Sequence, residues 1–373
     1  MSEIDDFESV LRSDTPLIDA RSPTEFAKGS LPTAVNLPLM NNDEREAVGR
    51  CYKEQGQDAA IRLGHELVAG NLREERVRAW QTFAARYPDG ALFCFRGGMR
   101  SEIAQRWLQH AGVDYPRIKG GYKAVRRWLI EASDNLISVG KLLLVGGPTG
   151  AAKTRLLNEG NSGHPIPGSI DLEGLANHRG SAFGRRVTEQ PTQIGFELAF
   201  GIELIKHRCK GHKTLILEDE GRLIGRCALP LVLQSARADA DWVQLEANIE
   251  ARVQHSYENY ILRNLEEMLV QDATNGFGHF ASGLLTSLER IQKRLGSGRF
   301  GTMRSTMLEA LASHERGAPE AHKIWISQLL TDYYDPMYEY QMNKRNRPPV
   351  FRGNEGEVAE YLINVAECAI ADQ

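Results

Sequence analysis

Cys94 opens the run Cys94-Phe95-Arg96-Gly97-Gly98-Met99-Arg100-Ser101, where one nucleophilic sulfur is followed by two glycines and two arginines. A cysteine at the C-terminal end of a parallel strand, followed by a glycine turn and a helix, sits where backbone N–H groups converge and a helix N-terminus points its positive end. That setting stabilises a thiolate and binds anions. Gly97 and Gly98 are expected to take the positive φ of a tight cradle, Arg96 and Arg100 to add cationic donors, and Ser101 to cap the next helix. A cysteine that merely fills a core needs none of these neighbours. Further on, Gly147-Pro148-Thr149-Gly150-Ala151-Ala152-Lys153-Thr154 follows an apolar run and has the spacing G-x-x-x-x-G-K-[ST], with Ala152 in place of the second glycine. Such a loop wraps phosphates with its amides, offsets their charge with Lys153 and offers the Thr154 hydroxyl to Mg²⁺. Ala152 is harmless if its φ is helical, which is the expectation for a residue that opens a helix. Glu218 and Glu220 end a second apolar run, where a metal-organising acid belongs. His178 beside Arg179 in a polar stretch suits an acid or base next to a phosphate ligand.

These residues need rigid elements behind them. Residues 16–20 and 91–95 read as short buried strands, the second ending at the cysteine loop. Leu72, Val77, Trp80, Phe83, Ala84 and Tyr87 share one helical face, as do Ile103, Ala104, Trp107, Leu108 and Ala111, so strands alternate with helices in the βαβ manner of a parallel sheet. Around residues 131–140 the pattern lapses into a polar connector before a strong strand at 141–145, and another strand is expected at 214–219. Beyond about residue 245 the chain turns helical, with Leu284, Leu285, Leu288, Ile291 and Leu295 at helical spacing. The expected fold class is α/β: an N-terminal parallel-sheet domain over 1–135, a phosphate-loop α/β core over 136–245, and a mostly helical C-terminal region over 246–373.

Length and composition agree with two ordinary globular cores: 373 residues, 42% hydrophobic and 25% charged. No run approaches the roughly 20 apolar residues of a membrane span, and the acidic start lacks the features of a signal peptide, so a cytoplasmic location is expected. Cys51, Cys94, Cys209, Cys227 and Cys368 are widely spaced with no C-x-x-C pair, which favours reduced thiols. A net charge of −4 neither supports nor excludes an RNA partner.

Leu17-Ile18-Asp19-Ala20-Arg21 with Glu25 and Phe26, then Gly29, Pro32, Asn36 and Pro38, and finally the Cys94 loop resemble a rhodanese domain. In that family the loop cysteine accepts sulfur as a persulfide. The Cys-x5-Arg spacing is one residue longer than in small rhodaneses and is similar to that of the related cell-cycle phosphatases. A rhodanese domain followed by this phosphate loop resembles the tRNA 2-selenouridine synthase family. The likeness extends through residues 50–64, Gly120-Gly121-Tyr122, Leu175 to Gly184, Gln193 to Glu197, Glu218 to Gly225 and Tyr333 to Tyr338. Asp219 and Gly221 depart from it where serines are expected. The resemblance implies replacement of sulfur by selenium at the wobble 2-thiouridine of tRNA, with selenophosphate and geranyl diphosphate as co-substrates, Mg²⁺ as an accessory and a selenophosphate-supplying enzyme as a partner. Alkylating the sulfur makes it a better leaving group for displacement by selenium. Under that reading Cys94, Arg96, Gly97, Gly98 and Arg100 handle selenium, while Gly147, Thr149, Gly150, Ala151, Ala152, Lys153 and Thr154 bind the diphosphate.

The RNA surface is sought among Arg290, Lys293, Arg294, Arg299 and Arg304, and among Lys344, Arg345, Arg347 and Arg352. Tyr333, Tyr334, Tyr338 and Tyr340 are candidates to stack on anticodon bases. Two other readings stay open: a phosphate-loop kinase or NTPase whose first domain is a phosphatase, and a binding protein with an inert rhodanese domain.

Overall fold

Short runs buried on both faces are what strands become in a parallel sheet covered by helices. The computed structural model, which describes residues 2–345 and 347–371 and side chains as far as 367, contains two such sheets. The chain divides into one unit of Met1–Leu136 with Thr192–Cys209 and a second of Ile137–Pro191 with Lys210–Gln373.

In the first unit β1 (Glu3–Ile4), β2 (Leu17–Asp19), β3 (Ala34–Asn36), β4 (Ala91–Phe93) and β5 (Arg117–Ile118) form a parallel sheet of order β1-β5-β4-β2-β3. One face packs Leu17, Ala91, Phe93 and Ile118 against Val125 and Leu129 of the helix Gly121–Val139 and Leu198, Ile202 and Ile205 of the helix Gln193–Cys209. The other packs Ile18 and Leu92 against Trp80 and Phe83 of Gly70–Arg86 and Ala104, Trp107 and Leu108 of Met99–His110. The polar connector expected at 131–140 is instead the end of the helix Gly121–Val139. Its polar residues face outward while Val125, Leu129 and Ile137 stay buried, so the helical period continues beneath a charged surface. The helix Gln193–Cys209 follows the phosphate loop in sequence yet belongs by its contacts to the first unit.

The strand-end signature has a structural task. Arg21 and Asp19 are 2% and 0% exposed; the guanidinium donates to Asp19 Oδ2 at 2.6 Å and to the Gly29 carbonyl at 3.0 Å, and lies 3.9 Å from the centre of the Tyr122 ring. Removing one partner of such a buried pair strands the other charge, at a cost of about 3–5 kcal/mol.

In the second unit β6 (Lys141–Gly146), β7 (Thr214–Glu218), β10 (Asp241–Leu245) and β11 (Phe351–Gly353) make a parallel sheet of order β11-β10-β6-β7, with β8 (Leu223–Ile224) and β9 (Cys227–Ala228) forming a separate hairpin. The apolar runs 141–145 and 214–219 therefore lie side by side, β6 inside the sheet and β7 at its edge. Leu284, Leu288, Ile291 and Leu295 are buried along the helix Gly276–Leu295 and pack with Met303, Met307, Trp325 and Leu329 in a helical core. Cys51, Cys94, Cys209 and Cys227 are free thiols, and the Cys368 side chain lies outside the described residues. Among the described residues no helix is long and apolar enough to cross a membrane.

Candidate functional site

Cys94 directly follows β4 and precedes the helix Met99–His110, so the strand-loop-helix context is present. The amides of Arg96, Gly97 and Gly98 have no backbone acceptor among the described residues, which leaves three consecutive donors at the loop. Gly97 has φ +65°, and a Cβ there would lie 2.5 Å from the amide nitrogen of Gly120; the loop thus rests on the Gly120-Gly121 backbone at a distance no side chain permits. Gly98 departs from expectation. Its φ is −96°, and it, not Ser101, is the N-cap of the helix. Ser101 lies inside the first turn, where its hydroxyl donates to the Gly98 carbonyl at 2.9 Å and stands 3.2 Å from Cys94 Sγ. Cys94 is 3% exposed, and its sulfur has this hydroxyl and the Gly98 carbonyl as polar neighbours.

Of the two arginines, Arg96 is exposed. Arg100 is clasped by Glu25, donating to Oε1 at 3.1 Å, so it buttresses the loop from the side. Burial alone would raise the Glu25 pKa, but the Arg100 hydrogen bond and charge bring it down to about 2. Glu25 also closes a capping box with Ser22, which ties the loop to the start of the helix Pro23–Ala27.

The phosphate loop leaves the end of β6 and enters the helix Lys153–Glu159. The amides of Thr149, Gly150 and Ala152 have no backbone acceptor among the described residues. Gly150, at φ +84°, comes so close to the helix Ile249–Tyr257 that a Cβ would lie 2.9 Å from Ser256 Oγ. From that helix Arg252 donates to the Thr149 carbonyl at 2.9 Å and to Asp335 at 3.1 Å, which fixes the loop from outside. Ala152 overturns the helical expectation: φ +64° and ψ 34° place it in the left-handed region, because it is the turn residue before the helix and not the helix's first residue. An alanine there costs about 1 kcal/mol relative to glycine. Ala152→Gly is therefore expected to raise the melting temperature by about 2–4 °C, and an unchanged or lower value in a thermal melt would contradict the strain.

Lys153 and Thr154 open onto a cavity of about 320 Å³ whose wall includes Arg179, Arg186, Arg263, Tyr260 and Tyr334. Lys153 Nζ donates to the Gly147 carbonyl at 3.3 Å. Arg179 is 9% exposed, its terminal nitrogens lack a hydrogen-bond acceptor among the described residues, and Glu267 lies 3.5 Å away. Lys153, Arg179, Arg186 and Arg263 around one cavity suit a ligand with several negative charges. Tyr260 and Tyr334 reach the wall from two π-helical turns, Glu258–Leu262 and Leu330–Tyr334. The Tyr334 hydroxyl accepts from the Ala182 amide at 3.1 Å.

Acids share the cavity wall, Glu173 and Glu220 among them. Glu173, Glu218 and Glu220 each bring a carboxylate oxygen within 4.8 Å of the others, and the Thr154 hydroxyl donates to Glu173 at 2.8 Å. Glu218 is fully buried, and neither of its oxygens has a hydrogen-bond partner among the described residues. Burial and the charge of Glu220 push Glu173 up to about 8; burial, then Glu173, drives Glu218 well above the carboxylate range, and burial raises Glu220. Asp219 points elsewhere, into an ion pair with Arg237 at 2.9 Å and another with Arg345. His178 is buried among neighbours that include Gly225 and does not line the cavity. Burial and the charges of Arg179, Arg186 and Arg185 lower its pKa to about 4, so it is neutral at pH 7.

A family model described as the tRNA 2-selenouridine synthase AAA domain matches residues 140–369, and a rhodanese-like domain model matches residues 3–127. Proteins named tRNA 2-selenouridine synthase from Hahella chejuensis, Marinobacter nauticus and Pseudomonas fluorescens are 49%, 46% and 48% identical to this chain. The matches cover 97%, 96% and 96% of it and 94%, 97% and 97% of them. The chain belongs to the tRNA 2-selenouridine synthase family.

For a member of the tRNA 2-selenouridine synthase family the basic surface is of interest, and the two candidate clusters differ. Arg290, Lys293, Arg294, Arg299 and Arg304 are all exposed on the helices Gly276–Leu295 and Ser297–Glu315. Arg345 pairs with Asp219 and lies over the Trp242 ring, Arg347 donates to the Asp239 carbonyl at 3.0 Å, and Arg352 lies 3.5 Å from Glu246. That cluster ties the chain to the sheet, while Lys344 lies 4.3 Å above the Tyr340 ring. Tyr333 is in the helical core, Tyr334 in the cavity wall and Tyr338 half-buried with its hydroxyl enclosed, which leaves Tyr340 as the most exposed of the four. Asn346 lies outside the described residues. Sequence reasoning missed Glu173, Arg186, Arg252 and Arg263. The Asp171 N-cap before Leu172–Leu175 was the one local signal for Glu173.

Proposed function

We propose that the chain replaces sulfur by selenium at the wobble 2-thiouridine of cytoplasmic tRNA in two steps, using geranyl diphosphate and then selenophosphate. The observation that carries the reading is the phosphate-loop cavity, where Lys153, Arg179, Arg186 and Arg263 converge beside a cluster of three carboxylates, Glu218 among them fully buried. In the first step the thiocarbonyl sulfur bonds to geranyl C1 as the C–O bond to diphosphate breaks; the loop amides and cations stabilise the charge gathering on the leaving group. In the second, selenium of selenophosphate held at the Cys94 loop bonds to C2, and geranylthiolate departs with the electron pair. Water then cleaves the Se–P bond and releases phosphate. Arg100 stays paired with Glu25, whereas a phosphatase would aim it at a phosphate above the sulfur, which favours the selenium reading.

Thr154, Glu173, Glu218 and Glu220 are hard oxygen donors of the kind Mg²⁺ takes, and unpartnered, buried Glu218 fits a cation. Bound there, Mg²⁺ would offset diphosphate charge. Carboxyls whose folded pKa is raised add stability below the unfolded value of 4.5 and lose it as pH rises, for Glu173 through about 8. Without divalent cation the melting temperature is therefore expected to fall from pH 5 to pH 8. Saturating Mg²⁺ should raise it by about 5–10 °C at pH 8 and little at pH 5, and Glu218→Gln should remove most of that gain. A Mg²⁺ effect equal at both pH values would count against this site.

The reaction itself is tested with purified protein, 2-thiouridine tRNA and both co-substrates. Nucleoside mass spectrometry is expected to show the geranylated species with geranyl diphosphate alone and the selenated species when selenophosphate is added. No mass change in any combination rejects the proposal.

A further inference from the structure

Beside the Cys94 loop, and within the same unit, lies a second cavity of about 470 Å³. Its lining includes Leu39, Val48, Ile61, Met99, Ile103 and Trp107, while Arg96, Gly98 and Arg100 of the cysteine loop form part of its rim. One wall is a helical hairpin, Asn42–Gln55 and Gln57–Leu67, turning at Gly56 with φ +85°. The hairpin packs against the helix Met99–His110 at its edge, where Gln57 Nε2 donates to Met99 Sδ at 3.5 Å. A cradle for a small anion needs amides and cations, and the cysteine loop already has them. An apolar hollow that shares Arg96, Gly98 and Arg100 with that loop calls for a substrate that carries hydrocarbon beside it. Open space above Gly98, where a Cβ would meet nothing within 4 Å, leaves the rim unobstructed.

We infer that this cavity receives the isoprenoid chain of S-geranylated 2-thiouridine during the second step, placing C2 over the cysteine loop and holding the chain as it leaves on sulfur. The inference rests on the two-step reading above and assigns the hydrocarbon of the second step to the first unit, apart from the diphosphate cavity of the first. The apolar lining takes the ten-carbon chain, and exposed Arg96 at the rim matches the anionic donor and RNA backbone that must lie next to it. The bond that breaks is C2–S, the bond that forms is C2–Se, and geranylthiolate takes the electron pair and a proton from water.

The test compares anticodon stem-loop RNA carrying S-geranyl or S-dimethylallyl 2-thiouridine, each given selenophosphate and the full-length protein. Each buried methylene is worth roughly a fourfold preference, so the wild type is expected to convert the geranyl substrate with kcat/KM at least about tenfold above the dimethylallyl one. Filling the hollow with Ile61→Trp or Val48→Phe should bring that ratio to about one or below. Both substrates meet the same preparation, so any unfolded fraction cancels in the ratio. A wild-type preference that survives in both variants overturns the cavity assignment and leaves the two-step reaction standing. Failure of the wild type to selenate either S-alkyl RNA overturns both.

Discussion

Cys94→Ala is expected to lower selenium incorporation by about 10²–10³-fold while geranylated tRNA accumulates. The size follows from losing the side chain beside which the selenium donor is held, of the order that removing one preorganised polar group from a reacting centre costs. The loop should survive the change, because its shape rests on features that do not involve the sulfur. Gly97 packs on Gly120 and Gly121, Arg100 is clasped by Glu25, and Ser101 donates to the Gly98 carbonyl. Nucleoside mass spectrometry reads both species in one sample. Loss of the geranylated nucleoside together with the selenated one would mean that the sulfur serves both steps or that the variant has unfolded, and a thermal melt separates these.

Lys153→Ala is expected to do the opposite, reducing geranyl transfer by about 10²–10³-fold, the usual cost of removing one preorganised donor from a developing anion. Arg179, Arg186 and Arg263 remain in the cavity wall, so the loss should stop short of complete. Lys153→Arg should not rescue, since a planar guanidinium does not replace a compact ammonium inside a loop already closed around the Gly147 carbonyl. The decisive control is tRNA geranylated beforehand, which the Lys153→Ala protein should still convert to the selenated form. Equal loss with that substrate would place the lysine in both steps and remove the division of labour between the two loops.

Much of this was legible without coordinates because it is local. A glycine-rich turn between a strand and a helix is written in contiguous residues, so both loops and the strands behind them could be placed. The misses share a different cause. Glu173 reaches Thr154 from a four-residue helix, and Arg252 braces Thr149 from across the fold; nothing near either residue in sequence signals its partner. The helix through 131–139 was hidden by its own charged face, since only every third or fourth residue is buried. Strand β10 escaped for lack of apolar contrast, since Asp241 and Gln244 interrupt it, and β11 because it has only three residues. Tyr333 and Arg345 looked like surface groups by type, yet one lies in a core and the other is ion-paired with Asp219.

The residue order alone determined that a nucleophilic sulfur and a phosphate-wrapping loop share one chain, because each needs only a strand end, glycines and a following helix. Folding decided what surrounds them: a cluster of three carboxylates near Lys153, an apolar hollow beside the Cys94 loop, and a left-handed Ala152. Burial, charge pairing and backbone twist depend on which distant segments are brought together, and that is a property of packing in three dimensions.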